Sequence, residues 1–324
     1  MGESNSSRRS MRHRASELVT PSGLRSQGMD SSEIRSVLRS LHRVRRGVYV
    51  ESIDRDPHEH HLTRLRALQM IRGNVAASHA SAAVAHGLWV PPEYLNEVHL
   101  TALVGGAKGE RRGEVHLHAG PLPDGAVSIV DDVVTTTLAR TVLDCATCLP
   151  FVDAVVVADQ ALRRPDVTAI DLASAMREAG RRRGIAQARR VLRLADEGAE
   201  SPGETRVRLI LAEAGYDVES QVEVRDRSGR FVGRVDLMLR SHSVFVEFDG
   251  RSKYQLGDSV ESVLWREKQR FDALVELGLE GVRVVWNQLA DPGRIAQRIA
   301  AAIARVHKRG LGHGHYLTSS RRPG

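Results

Sequence analysis

Aromatic side chains are scarce in this chain. Phe, Trp and Tyr make up 4% of its 324 residues, too few for the stacking platforms that hold single-stranded bases. Two cysteines supply no disulfide framework, so a reducing, cytoplasmic location is the expectation. No apolar run reaches the length of a membrane span. The opening MGESNSSRRSMRHR is basic but lacks the hydrophobic segment of a secretory signal. Lysine is rare too, since nearly all of the 47 basic residues are Arg. Arginine forks suit phosphates, although a GC-rich coding sequence produces the same bias.

What is present suits a folded protein of two or three domains. Hydrophobic content of 41% beside 27% charge is ordinary for globular chains, and the length is ample for more than one core. A net charge of +7 and a pI near 9.9 favour a polyanionic partner, with double-stranded DNA the leading expectation.

The stretch from Phe231 to Tyr254 organises the C-terminal part. It reads as two strands joined by Arg240-Ser241-His242-Ser243, the second running from Val244 to Asp249. Residues two apart on a strand share a face, so Glu247 and Asp249 point the same way, and pairing brings Asp236 beside them. Acids gathered on an apolar hairpin are costly unless solvated, paired or bound to a cation, and such oxygens suit Mg²⁺ or Mn²⁺. Around this hairpin the pattern predicts a helix opened by Ser201-Pro202-Gly203-Glu204, a strand at 218–224, a helix at 258–277, a strand at 281–286 and a last helix behind Asp291-Pro292. Simpler roles exist for each residue. Glu204 completes a capping box with Ser201, Asp236 and Glu247 can pair with Arg234 or Arg251, Asp249-Gly250 ends a strand, and Lys253 suits a solvated surface.

Residues 200–305 resemble the Vsr-like (very-short-patch-repair) branch of the PD-(D/E)XK nuclease superfamily. The likeness rests on Glu204, Gln221, Gly233-Arg234-Val235-Asp236, Glu247-Phe248-Asp249-Gly250, Lys253-Tyr254, and Arg270 with Leu274 before Gly278. It implies Asp236 and Glu247 as ligands of Mg²⁺ (or Mn²⁺), Glu204 as a supporting acid, and a lysine that orients or activates water. Asp249 stands at the lysine's place, and Lys253 is the nearest replacement. A metal ion can activate water without a lysine.

At the other end, residues 1–15 are polar and expected to be disordered. Residues 16–52 read as two short helical pieces, at 18–21 and 23–28, then a better helix capped by Asp30-Ser31-Ser32-Glu33, then a basic turn into a strand at Val44–Val50. That is the order of a winged helix-turn-helix, and it resembles the N-terminal domain of AbiEi-family antitoxins, whose signature ends in the Arg46-Gly47-Val48-Tyr49 wing. Ten Arg stand against five acids in residues 1–52, which suits phosphate contact. A recognition helix over 31–42 would present Ser32, Arg35, Ser36 and Arg39 to base edges. Arg43, Arg45 and Arg46 would lie on the wing near phosphates.

Residues 58–196 follow. Helices are expected at 62–71, from Ser78, around Arg140–Asp144, and at 151–162, 168–179 and 185–195. Strands are expected at 97–103 and 114–118 with a Gly-rich hairpin between them, and near Val133. Ser78…Ser81-Ala82…Gly87-Leu88 and Arg140-Thr141-Val142-Leu143-Asp144 resemble the central domain behind the AbiEi winged helix, while Arg140 and Asp144 are also spaced for an intrahelical pair. Cys145-Ala146-Thr147-Cys148 lacks the second pair a zinc site needs, and scattered His58, His60, His61, His116 and His118 read as caps or hydrogen-bonding residues. Arg181-Arg182-Arg183 and Arg189-Arg190 read as a solvated basic face.

The expectation is an α+β protein: winged helix-turn-helix (16–52), central mixed α/β domain (58–196), C-terminal α-β-β-β-α-β restriction-endonuclease-like domain (200–306) and a disordered tail (307–324). The resemblance implies a DNA-binding regulator of the antitoxin type, with a nucleotidyltransferase toxin as partner. A metal-dependent DNA endonuclease and an inert interaction scaffold are the alternatives.

Overall fold

The computed structural model describes residues 18–104, 108–120, 122–250, 260–310 and 316–320. The protein is α+β and divides into two units. Met1–Leu149 and Ile170–Ala188 form the first, Pro150–Ala169 and Arg189–Gly324 the second. No helix among the described residues is long and apolar enough to cross a membrane.

The first unit opens with α1 (Pro21–Ser26) and α2 (Ser31–Ser40), followed by an antiparallel ribbon, β1 (His42–Arg45) and β2 (Val48–Val50). Thr20 caps α1 through Gly23 N–H, and Asp30 with Glu33 closes a reciprocal capping box on α2. Of the helical piece predicted at 18–21, residues 18–20 are extended and Pro21 opens α1, because Val19 exchanges backbone hydrogen bonds with Tyr49 and so extends the ribbon. The recognition helix is shorter than predicted, since Leu41 leaves helical geometry and His42 starts β1.

A six-stranded mixed sheet comes next, in the order β5-β6-β4-β3-β8-β7. Its strands are β3 (Val75–Ala77), β4 (Val98–Ala102), β5 (Glu110–Arg112), β6 (Val115–His118), β7 (Val127–Val130) and β8 (Val133–Thr136). Helices α3 (Pro57–Ile71), α4 (His79–Ala85) and α5 (Leu138–Cys148) accompany it. Leu65, Leu68, Val98 and Leu100 lie at its core. The strands at 98–102 and 115–118 are parallel partners rather than arms of the predicted hairpin. Chain reversal occurs between β5 and β6, at Gly113 with φ 55°.

In the second unit, α6 (Phe151–Leu162), read from sequence as part of a central domain, packs on α9 (Pro202–Glu213). Between them run α7 (Ala169–Glu178), assigned almost wholly to the first unit, and α8 (Ile185–Leu194), which crosses the division after Ala188. Arg206 pairs with Asp153, and Arg208 with Asp159, across the α6–α9 contact. The sheet order is β12-β11-β10-β9-β13, from β9 (Glu219–Asp226), β10 (Phe231–Leu239), β11 (Val244–Asp249), β12 (Glu280–Val285) and β13 (Tyr316–Ser320). The helix α10 (Val260–Glu276) connects β11 to its parallel neighbour β12, and α11 (Pro292–Arg309) is capped by Asp291. One face packs Val207, Leu237, Val246, Phe248, Ile295 and Ile299, the other Val222, Val235, Met238, Phe245 and Leu274. The predicted tail departs from expectation at 316–320, where alternating Tyr316, Leu317 and Thr318 pair antiparallel with β9 and cover its edge.

Candidate nucleic-acid interface and acidic site

On α2 the side chains of Ser32, Arg35, Ser36 and Arg39 are exposed, whereas Ile34 is buried beneath them. The helical period thus turns the apolar residues inward and leaves a polar, basic face to solvent. Arg43 and Arg46 are exposed on the ribbon and Arg45 is half-buried. Arg45 and Arg46 line a groove of about 510 Å³ with Arg72, from the end of α3, and Arg112, from β5. None of these four guanidinium groups has an ion-pair partner among the described residues. Glu114 also lines the groove, but its carboxylate lies 3.1 Å from Arg64 Nη2. Arg72 and Arg112 escaped the sequence reading because nothing in their local pattern points to the ribbon.

The predicted acidic site residues of the second unit keep two different sets of partners. Glu204, in the first turn of α9, is buried and its Oε2 accepts hydrogen bonds from Glu200 N–H at 2.8 Å and Gln221 Nε2 at 2.9 Å. Burial, with the nearby charge of Asp236 second, raises its pKa from 4.5 to about 7. Ser201 Oγ caps the helix, accepting from Glu204 N–H at 3.2 Å, while the Glu204 carboxylate turns to Glu200 N–H instead of the Ser201 N–H that the predicted capping box requires. Asp236 Oδ2 accepts Phe248 N–H at 2.8 Å, a bond from strand backbone to side chain. Strand alternation changes phase at this place, since Val235 and Met238, three residues apart, lie in the same apolar cluster. On the neighbouring strand Gln221 has φ 53°, a conformation costly for a residue with a Cβ, and its buried Oε1 has no hydrogen-bond partner among the described residues.

Glu247 has the second set of partners. Its Oε1 is 2.6 Å from Arg270 Nη1, and its Oε2 is 3.8 Å from Arg283 Nε. Asp249, half-buried, has Oδ2 3.9 Å from Arg283 Nη1. Parallel pairing of Glu247 with Arg283 explains this contact, and Gly233 makes room for Arg270, whose Cγ would stand 3.2 Å from a Cβ there. Glu204, Asp236 and Glu247 are not among the sets of three ligand atoms that approach within 4.8 Å of one another; among the described residues those sets are histidine-based. Lys253 and Tyr254 lie outside the described residues.

Of the remaining motifs, Arg140 and Asp144 form the intrahelical pair their spacing suggested, at 2.9 Å, and Arg182 Nη2 joins Asp144 at 3.2 Å. Desolvation of Asp144 raises its pKa in spite of both arginines. Cys145 is buried and Cys148 exposed, both as free thiols. His58 and His61 hydrogen-bond the carbonyls of Val90 and Leu95, as expected of non-ligand histidines, while His116 and His118 stack with each other at 3.9 Å.

No protein-family model matches the chain. Two relatives from Mycobacterium tuberculosis, the uncharacterized proteins MT2308 (strain CDC 1551 / Oshkosh) and Rv2248 (strain ATCC 25618 / H37Rv), are each 30% identical to it over 179 residues. The matched stretch is 55% of this chain and 64% of either relative, so the similarity spans less than two thirds of their length.

Proposed function

We propose that this protein is a DNA-binding regulator of the AbiEi antitoxin type carrying a Vsr-like nuclease-fold domain. The supporting observation is the groove lined by Arg45, Arg46, Arg72 and Arg112, in the same unit as the exposed basic face of α2. Guanidinium groups without carboxylate partners are available to phosphates. Ser32, Arg35, Ser36 and Arg39 read base edges in the major groove, and the ribbon holds the backbone. The second unit adds a further DNA contact, and a nucleotidyltransferase toxin is the protein partner.

Footprinting on the DNA upstream of the protein's own gene tests this reading. A protected site whose affinity falls steeply with salt is expected. Equal affinity for that DNA and for random duplex would overturn the regulatory role.

The proximity of Glu204 and Asp236 favours a second reading, a DNA endonuclease using Mg²⁺ or Mn²⁺. In it Asp236 and Glu247 bind the ion, Glu204 supports them, and Asp249 or Lys253 positions water. The Arg270–Glu247 pair weighs against it, because one proposed ligand already has a cationic partner.

A further inference from the structure

Four histidines and a glutamate gather in the first unit. Glu97 precedes β4 and His99 lies within it, two residues apart, and His116 and His118 are two apart on β6. Parallel pairing sets His99 beside His116 and Thr101 beside His118, so strand alternation alone brings these donors together. His79 comes from a different element, at the start of α4, and its ring stacks on His118 with centroids 3.6 Å apart. Its φ of 52° lies in the left-handed region, where strain in a residue other than glycine accompanies functional constraint more often than chance.

The ligand atoms of His79, His99 and His118 all lie within 4.8 Å of one another, as do those of Glu97, His99 and His116. His99 is common to both sets. Neighbouring groups hold the cluster: His79 Nδ1 is 3.0 Å from Ser78 Oγ, which orients that ring, while Ser81 Oγ accepts the backbone N–H of His99 at 2.7 Å and is 2.8 Å from His61 Nε2, which fixes the strand at His99. An outer hydrogen bond such as that of Ser78 to His79 is what sets imidazole direction in metal sites. A neutral histidine pair would explain the 2.9 Å contact of His99 Nδ1 with His118 Nε2, but it leaves the strained placement of His79 without a reason.

We propose that His79, His99 and His118 bind a divalent transition-metal ion of the Zn²⁺ class, with Glu97 and His116 beside them on the shared His99. Imidazole donors select such ions over Mg²⁺, and three of them leave a coordination position for water or a ligand. His99 Nδ1 and His118 Nε2 would part by about 0.4 Å to share one tetrahedral ion with Zn–N bonds near 2.0–2.1 Å. The nearly parallel rings of His79 and His118, 14° apart, would turn about their soft terminal torsions. Arg140 and Arg182 are close enough for their charge to act on His79, which opposes a cation. The fully buried Asp144, bonded to both arginines, offsets that charge.

The test uses untagged full-length protein, stripped with a chelator, passed through gel filtration and titrated with Co²⁺ and then Zn²⁺. One equivalent of Co²⁺ should bind with the intense visible absorption of four- or five-coordinate nitrogen ligation, and Zn²⁺ should displace it. His99→Ala and His118→Ala should each weaken Zn²⁺ binding at least tenfold, while His307→Ala, in the other unit, should leave it unchanged. Should either histidine variant fail to fold, the cobalt spectrum of the unaltered chain decides. Loss of both ions on gel filtration, a weak octahedral-type cobalt spectrum, or undiminished Zn²⁺ affinity in a folded His99→Ala protein would each overturn the site.

Discussion

Arg270 Nη1 stands 2.6 Å from Glu247 Oε1, and the same nitrogen donates to the Arg234 carbonyl at 3.1 Å. One guanidinium nitrogen is therefore held by two acceptors, beside the glycine at 233. A metal ion at Glu247 would have to displace this contact or bear the repulsion of a neighbouring cation. Supercoiled plasmid incubated with Mg²⁺ or Mn²⁺ should accordingly be cut no faster by the native protein than by Asp236→Ala. Metal-dependent nicking that disappears in Asp236→Ala would establish the endonuclease reading instead.

Glu204 links pH to stability. Its pKa is raised from 4.5 to about 7 by burial and then by the charge of Asp236. A raised carboxyl pKa means that the folded state holds the proton more tightly than the unfolded chain. The group's contribution is thus fully present below about pH 4.5 and lost as pH rises towards 7. The loss is roughly 3 kcal/mol at most. Urea unfolding at pH 5 and pH 8 should show Glu204→Gln losing less stability than the native protein over that interval. Identical slopes would mean that Glu204 is ionised throughout.

Gly203 lets the start of α9 approach β11. A Cβ at this position would fall 2.0 Å from Phe248 Cε1, on a ring that is only 5% exposed. Gly203→Ala should cost about 1–3 kcal/mol through overpacking, visible as a lower urea midpoint with unchanged slope. An unchanged midpoint would show that the helix and strand can separate freely.

The groove arginines should act on DNA through charge. Arg46→Ala and Arg72→Ala should each weaken binding to specific and random duplex alike. Each should also reduce the slope of log K against log salt by about 0.9 for every phosphate that is no longer neutralised. Arg35→Ala on α2 should instead relax preference at one base position. An unaltered salt slope for Arg46→Ala and Arg72→Ala would remove the groove from the interface.

Much of the local structure was legible in the order of residues. Asp30 with Glu33, Ser201 with Glu204, and Asp291 before Pro292 announce helix starts that form with those caps. Alternation at 244–249 correctly paired Glu247 with Asp249 on one face, since both meet Arg283. The same rule was insufficient at Asp236, where the phase of the strand changes opposite a left-handed Gln221. Nothing in residues 316–320 announced a strand, because an edge strand draws its hydrogen bonds from a distant partner. His116 and His118 were visible as a spaced pair, yet His99 and His79 join them only through strand neighbours and a helix start that spacing does not specify.

The sequence by itself determined where most of the capped helices begin, which residues those helices turn inward, and that the chain is strongly basic. These follow from the 3.6-residue period, caps and charge, all properties of neighbouring residues. Tertiary structure alone decided that Arg270 reaches Glu247, that Arg72 and Arg112 join the ribbon arginines, and that four histidines meet at two parallel strands. Those outcomes depend on which strands pair, in which direction and register. Chain closure between residues far apart in number is governed by packing of the whole unit, which no local pattern encodes.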